Sequence, residues 1–231
     1  SSGEKVTITH FVARAVGQAI HNTPSINGFI RWGRFHQHET VSLSMLVALE
    51  GGNIANTRIA DIQKKSVADV CSEVRLSVEK LRTNKDDDFK SSQSSLRWMP
   101  VWLMRPVLWL TGLVTSSFGW SIPMFGLKAF PFGSCMITSV GMFGLDEGYA
   151  PHTPFARVPM LALIGAIRDQ AVVIDKEIQI RPMLTITATI DHRYIDGAQA
   201  ANIAGTVGEA FEKPWVLDGH QSNPFSATEA L

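Results

Sequence analysis

The chain lacks the features that mark several common classes of protein. Its 231 residues include only two cysteines, and 21 basic residues are balanced by 21 acidic ones. Two cysteines are too few for a disulfide framework, so we expect a reducing compartment. Because the charges balance, the chain has no excess of basic residues of the kind that binds nucleic acid. No signal peptide is recognisable, and the opening Ser-Ser-Gly resembles a trimmed boundary, which leaves room for a longer natural protein.

Patterns typical of metal sites are also lacking, so no metal is expected. The seven histidines are spread along the chain, and the pair His36 and His38 is only weak evidence for a metal. Three consecutive aspartates at 86–88 cannot point one way from a helix or a strand, so they indicate a solvated loop. Hydrophobic residues make up 45% of the chain and charged residues 18%, which is typical of a globular protein. We predict a single domain over residues 1–231.

Hydrophobic periodicity predicts a mixture of helices and strands. Apolar residues at helical spacing predict helices over 6–20, over 67–81 and from just after Gly197 to before Pro214. Period-two or continuous apolar runs predict strands over 26–32, 41–47, 135–140, 159–167 and 182–190, with a hairpin across 168–173. Either Thr7 or Thr9 is available to cap the first helix.

Residues 94–130 form an apolar, tryptophan-rich segment with few charges. Proline and glycine interrupt it, whereas a transmembrane helix needs about 20 consecutive apolar residues. A run this apolar cannot lie open to water, so burial within the domain or at a subunit interface is the first expectation. Contact with a membrane surface is the minority alternative, because Trp and Arg suit an interfacial segment. A lid over a substrate channel is compatible with the first expectation.

The candidate site follows the last predicted strand. Residues 191–197 read Asp-His-Arg-Tyr-Ile-Asp-Gly, so His192 lies just beyond a strand end, where the backbone is fixed and the side chain can enter a cleft. Histidine is the side chain that exchanges a proton near neutral pH. The simpler interpretation is a loop histidine that makes a structural hydrogen bond.

The heptad 191–197 resembles the Asp-His-Arg-x-x-Asp-Gly signature of the dihydrolipoyl acyltransferase catalytic core of 2-oxo-acid dehydrogenase complexes. Two other stretches resemble the same family. Residues 135–144 are similar to its "Thr-Ile-Ser-Asn-Leu-Gly-Met-Phe-Gly", with Thr138 at the position of the functional hydroxyl and Ser139 in place of the usual Asn. Tyr149-Ala-Pro151 is similar to its "Phe-Thr-Pro", which implies that Tyr149 lines the substrate channel. The segment 94–130 is an insertion relative to the family pattern.

The resemblance implies a fold, an assembly and a reaction. The family fold is an α/β two-layer sandwich with a mixed sheet, shared with chloramphenicol acetyltransferase, and its members form trimers that can build a larger cage, with the active site between subunits. The reaction implied moves an acyl group between dihydrolipoamide and coenzyme A, both as substrates, without a metal. A lipoyl domain, upstream or on a partner, and the other dehydrogenase-complex components are the implied partners. The implied location is the cytoplasm, or the mitochondrial matrix in a eukaryote.

The resemblance also implies a role for each catalytic candidate. His192 would take the thiol proton, and Thr138 would stabilise the tetrahedral oxyanion. Asp196 would order the active-site loop, through hydrogen bonds or an ion pair with an arginine such as Arg14 or Arg193. A simpler interpretation is that Asp196 only caps the last helix together with Gln199, a contribution of about 1 kcal/mol.

Two other functions remain open from the sequence. One is a stand-alone, coenzyme A-dependent acetyltransferase with a different acceptor, in which the insertion reshapes the pocket. The other is a mainly structural oligomeric core that organises partner enzymes. Scaffolding requires neither His192 nor Thr138, which favours an enzyme.

Overall fold

The computed structural model describes residues 5–48, 54–82, 100–220 and 222–224. The predicted aspartate loop at 86–88 and the first part of the insertion lie outside these residues. A mixed sheet of five strands organises the part that is described, in the order β4-β3-β5-β6-β7. The bounds of these strands are Leu43–Ala48 for β3, Ile54–Ile59 for β4, Cys135–Ser139 for β5, Met160–Ile174 for β6 and Glu177–Ile190 for β7. A separate hairpin joins β1, Gly28–Arg31, to β2, Arg34–Gln37.

The sheet is parallel in its centre and antiparallel at both edges. Strand β5 runs parallel to β3 and β6, while β4 and β7 are antiparallel to their neighbours. The central strands carry almost continuous apolar sequence because both of their faces are covered, as parallel strands require. Strands β2 and β4 were not predicted, since their polar residues hide the strand pattern.

The hairpin between β6 and β7 is longer than the sequence indicated. The predicted turn across 168–173 is wrong, because these residues continue β6 and the chain turns at Asp175 and Lys176, both at positive φ. Strand β7 therefore starts before Pro182, which pairs with Asp169. Proline lacks an amide hydrogen but is tolerated here, since β7 has only one neighbour among the described strands.

Helices cover one face of the sheet and share one apolar core with it. These are α1, Ile8–Asn22, α2, Val67–Arg82, and α4, Gly197–Glu212. Their apolar stripes pack on alternate residues of the strands, including Leu43, Ile137 and Ile164, each no more than 1% exposed. Thr7 caps α1, as one of the two sequence alternatives proposed. This arrangement confirms the expected two-layer α/β fold with a mixed sheet.

The two cysteines lie in this layered core. Cys71 is on α2 and Cys135 begins β5, and no disulfide joins them. Burial raises the pKa of the Cys135 thiol to about 12, so this sulfur stays protonated and unreactive at neutral pH.

The opposite face of the sheet is covered by loops. Met136 and Leu161 project there and pack with Ala156 and Val158 in a smaller apolar cluster. The polypeptide after β5 crosses this face closely, since a Cβ on Gly165 would lie 1.9 Å from the carbonyl oxygen of Asp146. The absence of a side chain at Gly165 therefore sets how near the loop 145–148 approaches the sheet.

The described part of the apolar insertion begins with a helix, and the outer surface of that helix is exposed. Residues Val101–Gly112 form α3, and Leu113–Ser117 add a π-helical turn. Trp102 is 77% exposed and Trp109 is 58% exposed. The expected burial of this segment within the domain is therefore wrong for these side chains, and a subunit interface, a membrane surface and a lid remain. Among the residues described, no helix has the length and apolar character needed to cross a membrane.

Replacement of Gly165 by alanine is expected to destabilise the fold. The new methyl group meets backbone rather than a flexible side chain, so strand or loop must move, at a cost of about 2 kcal/mol. Gly205→Ala in α4 is the matched control, because its added Cβ meets no atom within 4 Å, and it should stabilise the helix by about 0.5–1 kcal/mol. Urea unfolding of both variants measures the difference. Equal midpoints would contradict the close contact at Gly165.

Acidification should weaken the fold through His38. Burial, together with the nearby positive charge of Arg58, lowers the pKa of His38 to about 4, against about 6.5 in the unfolded chain. Because the unfolded state binds the proton more readily, the free energy of unfolding should fall as the pH drops from about 6.5 towards 4. His38→Gln should flatten this dependence in urea titrations. His21→Gln, at an exposed position, is the control for the loss of an imidazole.

Candidate active site

The loop that follows β7 is held firmly on both sides of His192. The amide of Asp191 donates to the carbonyl of Pro159 over 2.9 Å, which continues the pairing of β7 with β6. Three residues after the histidine, Ile195 is fully buried in the main core. His192 itself is exposed. The loop therefore presents the imidazole outward from a fixed backbone.

Asp191 and Arg193 form an ion pair around the histidine. The Nε and Nη2 atoms of Arg193 donate to the Asp191 carboxylate over 2.6–3.1 Å, and the amide of Arg193 donates to it over 3.0 Å. These hydrogen bonds lower the pKa of Asp191 and raise that of Arg193. Both groups stay charged at neutral pH, so the bidentate pair fixes the turn that carries His192.

Tyr194 ties the same loop to the β1–β2 hairpin. Its hydroxyl accepts a hydrogen bond of 3.2 Å from the amide of Ile30, and its ring contacts Phe35 edge-on. Burial raises the pKa of Tyr194, so the hydroxyl remains neutral. The hairpin is therefore a support of the histidine loop.

Asp196 caps α4 as the sequence suggested. Its Oδ1 accepts from the amide of Gln199 over 2.8 Å, and the Gln199 side chain in turn accepts from the amide of Asp196. Neither arginine considered as its partner takes that role in this chain. Arg193 pairs with Asp191, while Arg14 donates to backbone carbonyls and to the side chain of Gln18. Of the two possibilities for Asp196, the hydrogen bonds are formed within this chain and the ion pair with Arg14 or Arg193 is not.

Thr138 lies near the end of β5, on the sheet face that carries no helix. It pairs with Leu163, which pairs with Thr187 on β7. The hydroxyl of Thr187 donates to the carbonyl of Gly148, so the loop that carries Tyr149 crosses the sheet beside this row. Tyr149 is 74% exposed. Thr138 and Tyr149 are thus brought into one region, which is half-buried to exposed.

Ser139 does not share the orientation of Thr138. Side chains alternate along a strand, and Ser139 pairs with the fully buried Ile164 of the helix-covered core. It is half-buried, at the very end of β5. A channel-lining role for Ser139 stays a prediction, and its direction makes it a weaker candidate than Tyr149.

Within one chain, His192 and Thr138 lie at opposite ends of the sheet. Cys135, Met160 and Ile190 share one level of the register. Thr138 is three positions beyond this level in one direction, and His192 is two positions beyond it in the other. Five strand positions correspond to about 16 Å along the strands. The two side chains cannot reach one substrate atom unless a second copy supplies one of them.

Sequence reasoning missed the supports of the site. The Asp191–Arg193 pair lies inside the recognised heptad, and its opposite charges two residues apart were an available signal. The contacts of Tyr194 with Ile30 and of Thr187 with Gly148 join residues far apart in sequence. No local sequence pattern indicates such pairings, so only the folded structure reveals them.

Comparison with known proteins finds relatives of this chain. The chain is 27% identical over 217 residues to the dihydrolipoyllysine-residue acetyltransferase component of the acetoin cleaving system of Bacillus subtilis, which covers 93% of this chain and 44% of that protein. Over 87 residues it is 38% identical to the mitochondrial dihydrolipoyllysine-residue succinyltransferase component of the 2-oxoglutarate dehydrogenase complex of Bos taurus, covering 37% of this chain and 18% of that protein. The chain thus spans less than half the length of these curated relatives.

Solved structures agree on the fold. A probable dihydrolipoamide acetyltransferase from Listeria monocytogenes has a TM-score of 0.66 at 19% identity, covering 91% of this chain and 72% of that one. The Azotobacter vinelandii dihydrolipoamide acetyltransferase, studied for the role of a serine, a histidine and an asparagine in its catalytic mechanism, also has a TM-score of 0.66, at 18% identity and covering 93% of this chain and 72% of that one.

The family model of the 2-oxoacid dehydrogenases acyltransferase (catalytic domain) matches residues 1–95 and 127–217, which include both halves of the candidate site. With the mixed sheet, the heptad at 191–197 and this match over most of its length, the chain belongs to the family of 2-oxoacid dehydrogenase acyltransferase catalytic domains.

Proposed function

We propose that this chain transfers an acyl group between dihydrolipoamide and coenzyme A, in a site where His192 of one copy faces Thr138 of a neighbouring copy. The observation that carries the proposal is the separation of these residues along the sheet, combined with their accessibility. A residue pair built only for stability would be buried and in contact within one chain. An exposed histidine on a fixed loop suits a site completed by another subunit.

His192 serves as the general base of the proposed reaction. A thiol has a pKa near 8.5 and is mostly protonated at neutral pH. The neutral imidazole takes the thiol proton while the sulfur attacks the thioester carbonyl carbon. When the tetrahedral intermediate collapses, the carbon–sulfur bond of the original thioester breaks and the departing sulfur takes the proton back. One thioester replaces another, so charge and atoms balance.

Thr138 stabilises the intermediate of this reaction. Attack on the carbonyl places negative charge on its oxygen, and a fixed hydroxyl donates a hydrogen bond to that oxygen. Strand β5 holds Thr138 between β3 and β6, so its backbone position is set by the centre of the sheet. Tyr149, from the neighbouring loop, lines the approach of the substrate.

A trimer is the assembly that the proposal requires, with a lipoyl group delivered by another domain or protein. The curated relatives named above are components of an acetoin cleaving system and of a 2-oxoglutarate dehydrogenase complex. By analogy, we propose that this chain forms the core of such a complex. The lipoyl group enters as a substrate on its carrier, and coenzyme A enters as the second thiol.

Asp196 acts on the reaction through the loop rather than on the substrate. Its carboxylate fixes the start of α4, four residues after His192. In the Azotobacter vinelandii enzyme the histidine and the asparagine studied for catalysis are spaced as His192 and Asp196 are here. An asparagine retains the oxygen acceptor that a helix cap needs. We therefore assign Asp196 as a positioning residue.

Mixed assemblies provide the test of a shared site. His192→Ala and Thr138→Ala should each retain the assembly mass, while transfer between acetyl-CoA and dihydrolipoamide falls by about 10²- to 10⁴-fold for the first and about 10²- to 10³-fold for the second. If the two variants are unfolded and refolded together in equal amounts, about a quarter of the sites combine an intact His192 with an intact Thr138 from different chains.

Recovery of about a quarter of the wild-type rate in the mixture therefore supports a site between subunits, by the random assortment of chains in a closed ring. The control is the same two variants mixed without unfolding, which should stay inactive. No recovery in a mixture that demonstrably exchanges chains would contradict the shared site, and an active His192→Ala protein would contradict the proposed base.

Two substitutions of Asp196 separate the effect of its helix-capping hydrogen bond from the effect of its negative charge. Asp196→Ala should lower the free energy of unfolding by about 1 kcal/mol and should lower kcat because the histidine loop loosens. Asp196→Asn should keep the stability and most of the activity, since the cap survives without the charge. Urea unfolding and steady-state kinetics measure the two effects. Loss of activity in Asp196→Asn with unchanged stability would show that the negative charge itself is needed.

A further inference from the structure

An exposed aromatic surface on this chain contains none of the residues assigned to the proposed reaction. Its centre is α3, a segment inside the stretch 96–126 that the family model leaves unmatched. We call it the aromatic patch and define it by the side chains that α3, the segment after it and the β1–β2 turn contribute: Trp32, Trp102, Arg105, Trp109, Phe118 and Trp120.

One face of α3 supplies half of this patch. Trp102, Arg105 and Trp109 are spaced at i, i+3 and i+7, which places them on one side of a helix. Trp102 is 77% exposed, Trp109 is 58% exposed and Arg105 is exposed as well. The opposite side carries the half-buried residues of the helix, Met104, Val107, Leu108 and Thr111. The helix is thus docked by one side and presents the other.

A second element independently extends the patch. Trp32, at the turn of the β1–β2 hairpin, is 82% exposed and its ring lies 5.7 Å from that of Phe118. Phe118 contacts Trp120, which is 64% exposed, at 5.4 Å. Arg157 links this group to α3, because it donates to Ser117 and lies 5.9 Å from the ring of Trp109. Two separate parts of the sequence therefore build one surface.

The charged side chains named for this surface, all in the described part of the chain, have a single sign. The sequence has no Asp or Glu from residue 100 to residue 145, whereas Arg105 lies in that range. The hairpin turn adds Arg31 and the exposed Arg34 on either side of Trp32. Tryptophan prefers the boundary between water and hydrocarbon, and arginine is attracted to anionic headgroups.

We propose that the aromatic patch docks this chain on the surface of an anionic lipid bilayer. Helix α3 has 12 residues and is about 18 Å long, so it lies along the bilayer surface rather than across it. The tryptophans enter the headgroup region while the arginines meet phosphate groups. A two-fold contact between copies fits less well, because it would bring together two cationic surfaces whose described residues include no carboxylate to pair them.

Binding to vesicles tests this proposal without reference to enzymatic activity. The intact protein is sedimented with vesicles of phosphatidylcholine alone and with vesicles of equal parts phosphatidylcholine and phosphatidylglycerol. It should bind the mixed vesicles, with an affinity that falls as salt is added. Brominated lipids should quench its tryptophan fluorescence, which reports insertion of the indole rings.

Two variants separate the apolar and the electrostatic contributions. Trp102→Ser combined with Trp109→Ser should weaken binding at least about tenfold, because the main apolar contact is removed. Arg105→Gln should weaken binding to mixed vesicles about fivefold and leave binding to phosphatidylcholine nearly unchanged. Leu76→Ser is the matched control, since this side chain is 51% exposed on α2, away from the patch, and its loss should not alter binding.

Two results would overturn the proposal. The first is a wild-type protein that does not sediment with mixed vesicles, or a double tryptophan variant that binds as tightly as the wild type. The second is a fall in assembly mass, by light scattering, in the double variant but not in Leu76→Ser. That fall would identify the patch as a contact between protein subunits instead of a membrane surface.

Discussion

The register of the central sheet is the constraint on which the site depends. Strands β5 and β6 are parallel, while β7 returns antiparallel beside them. The end of β5 and the end of β7 therefore face opposite directions, and the residues that follow each strand cannot meet. Thr138 and His192 occupy these two positions. A fold with this strand order places a histidine and a hydroxyl in two half-sites, so activity in the proposed reaction and association of copies become one requirement.

Rigidity of the histidine loop has several small sources rather than one large one. A strand hydrogen bond enters the loop, the Asp191–Arg193 pair fixes its turn, and Ile195 fills a position in the core. The cap formed by Asp196 then starts α4. Each contribution is modest, and together they fix the backbone while the imidazole stays exposed. A surface histidine on such a support suits proton transfer better than a buried one, because a long thiol substrate can reach it.

Local patterns in the sequence identified the central helices and strands. The other features depend on contacts between residues far apart in sequence, which local patterns do not reveal. The helices over 8–22, 67–82 and 197–212 follow from apolar periodicity and recognisable caps, and the heptad at 191–197 located His192. The full length of β6 and β7 was missed because Pro182 and the polar residues beyond Ile167 do not form a recognisable strand pattern. The supports of the site were missed because they join residues far apart in sequence, such as Tyr194 and Ile30, which are 164 residues apart.

The exposed tryptophans of the insertion depart from the rule that apolar side chains are buried, as long as one chain is considered alone. Apolar side chains avoid water, so burial of residues 94–130 within the domain or at a subunit interface was the natural expectation. In its described part, the segment instead buries the small polar side chains of Thr115, Ser116 and Ser117 and exposes Trp102, Trp109 and Trp120. The rule still holds if another molecule covers these side chains. The described residues of the patch and its surroundings combine indole rings with arginines and include no carboxylate, which favours an apolar and anionic neighbour, and the surface of an anionic bilayer has both properties.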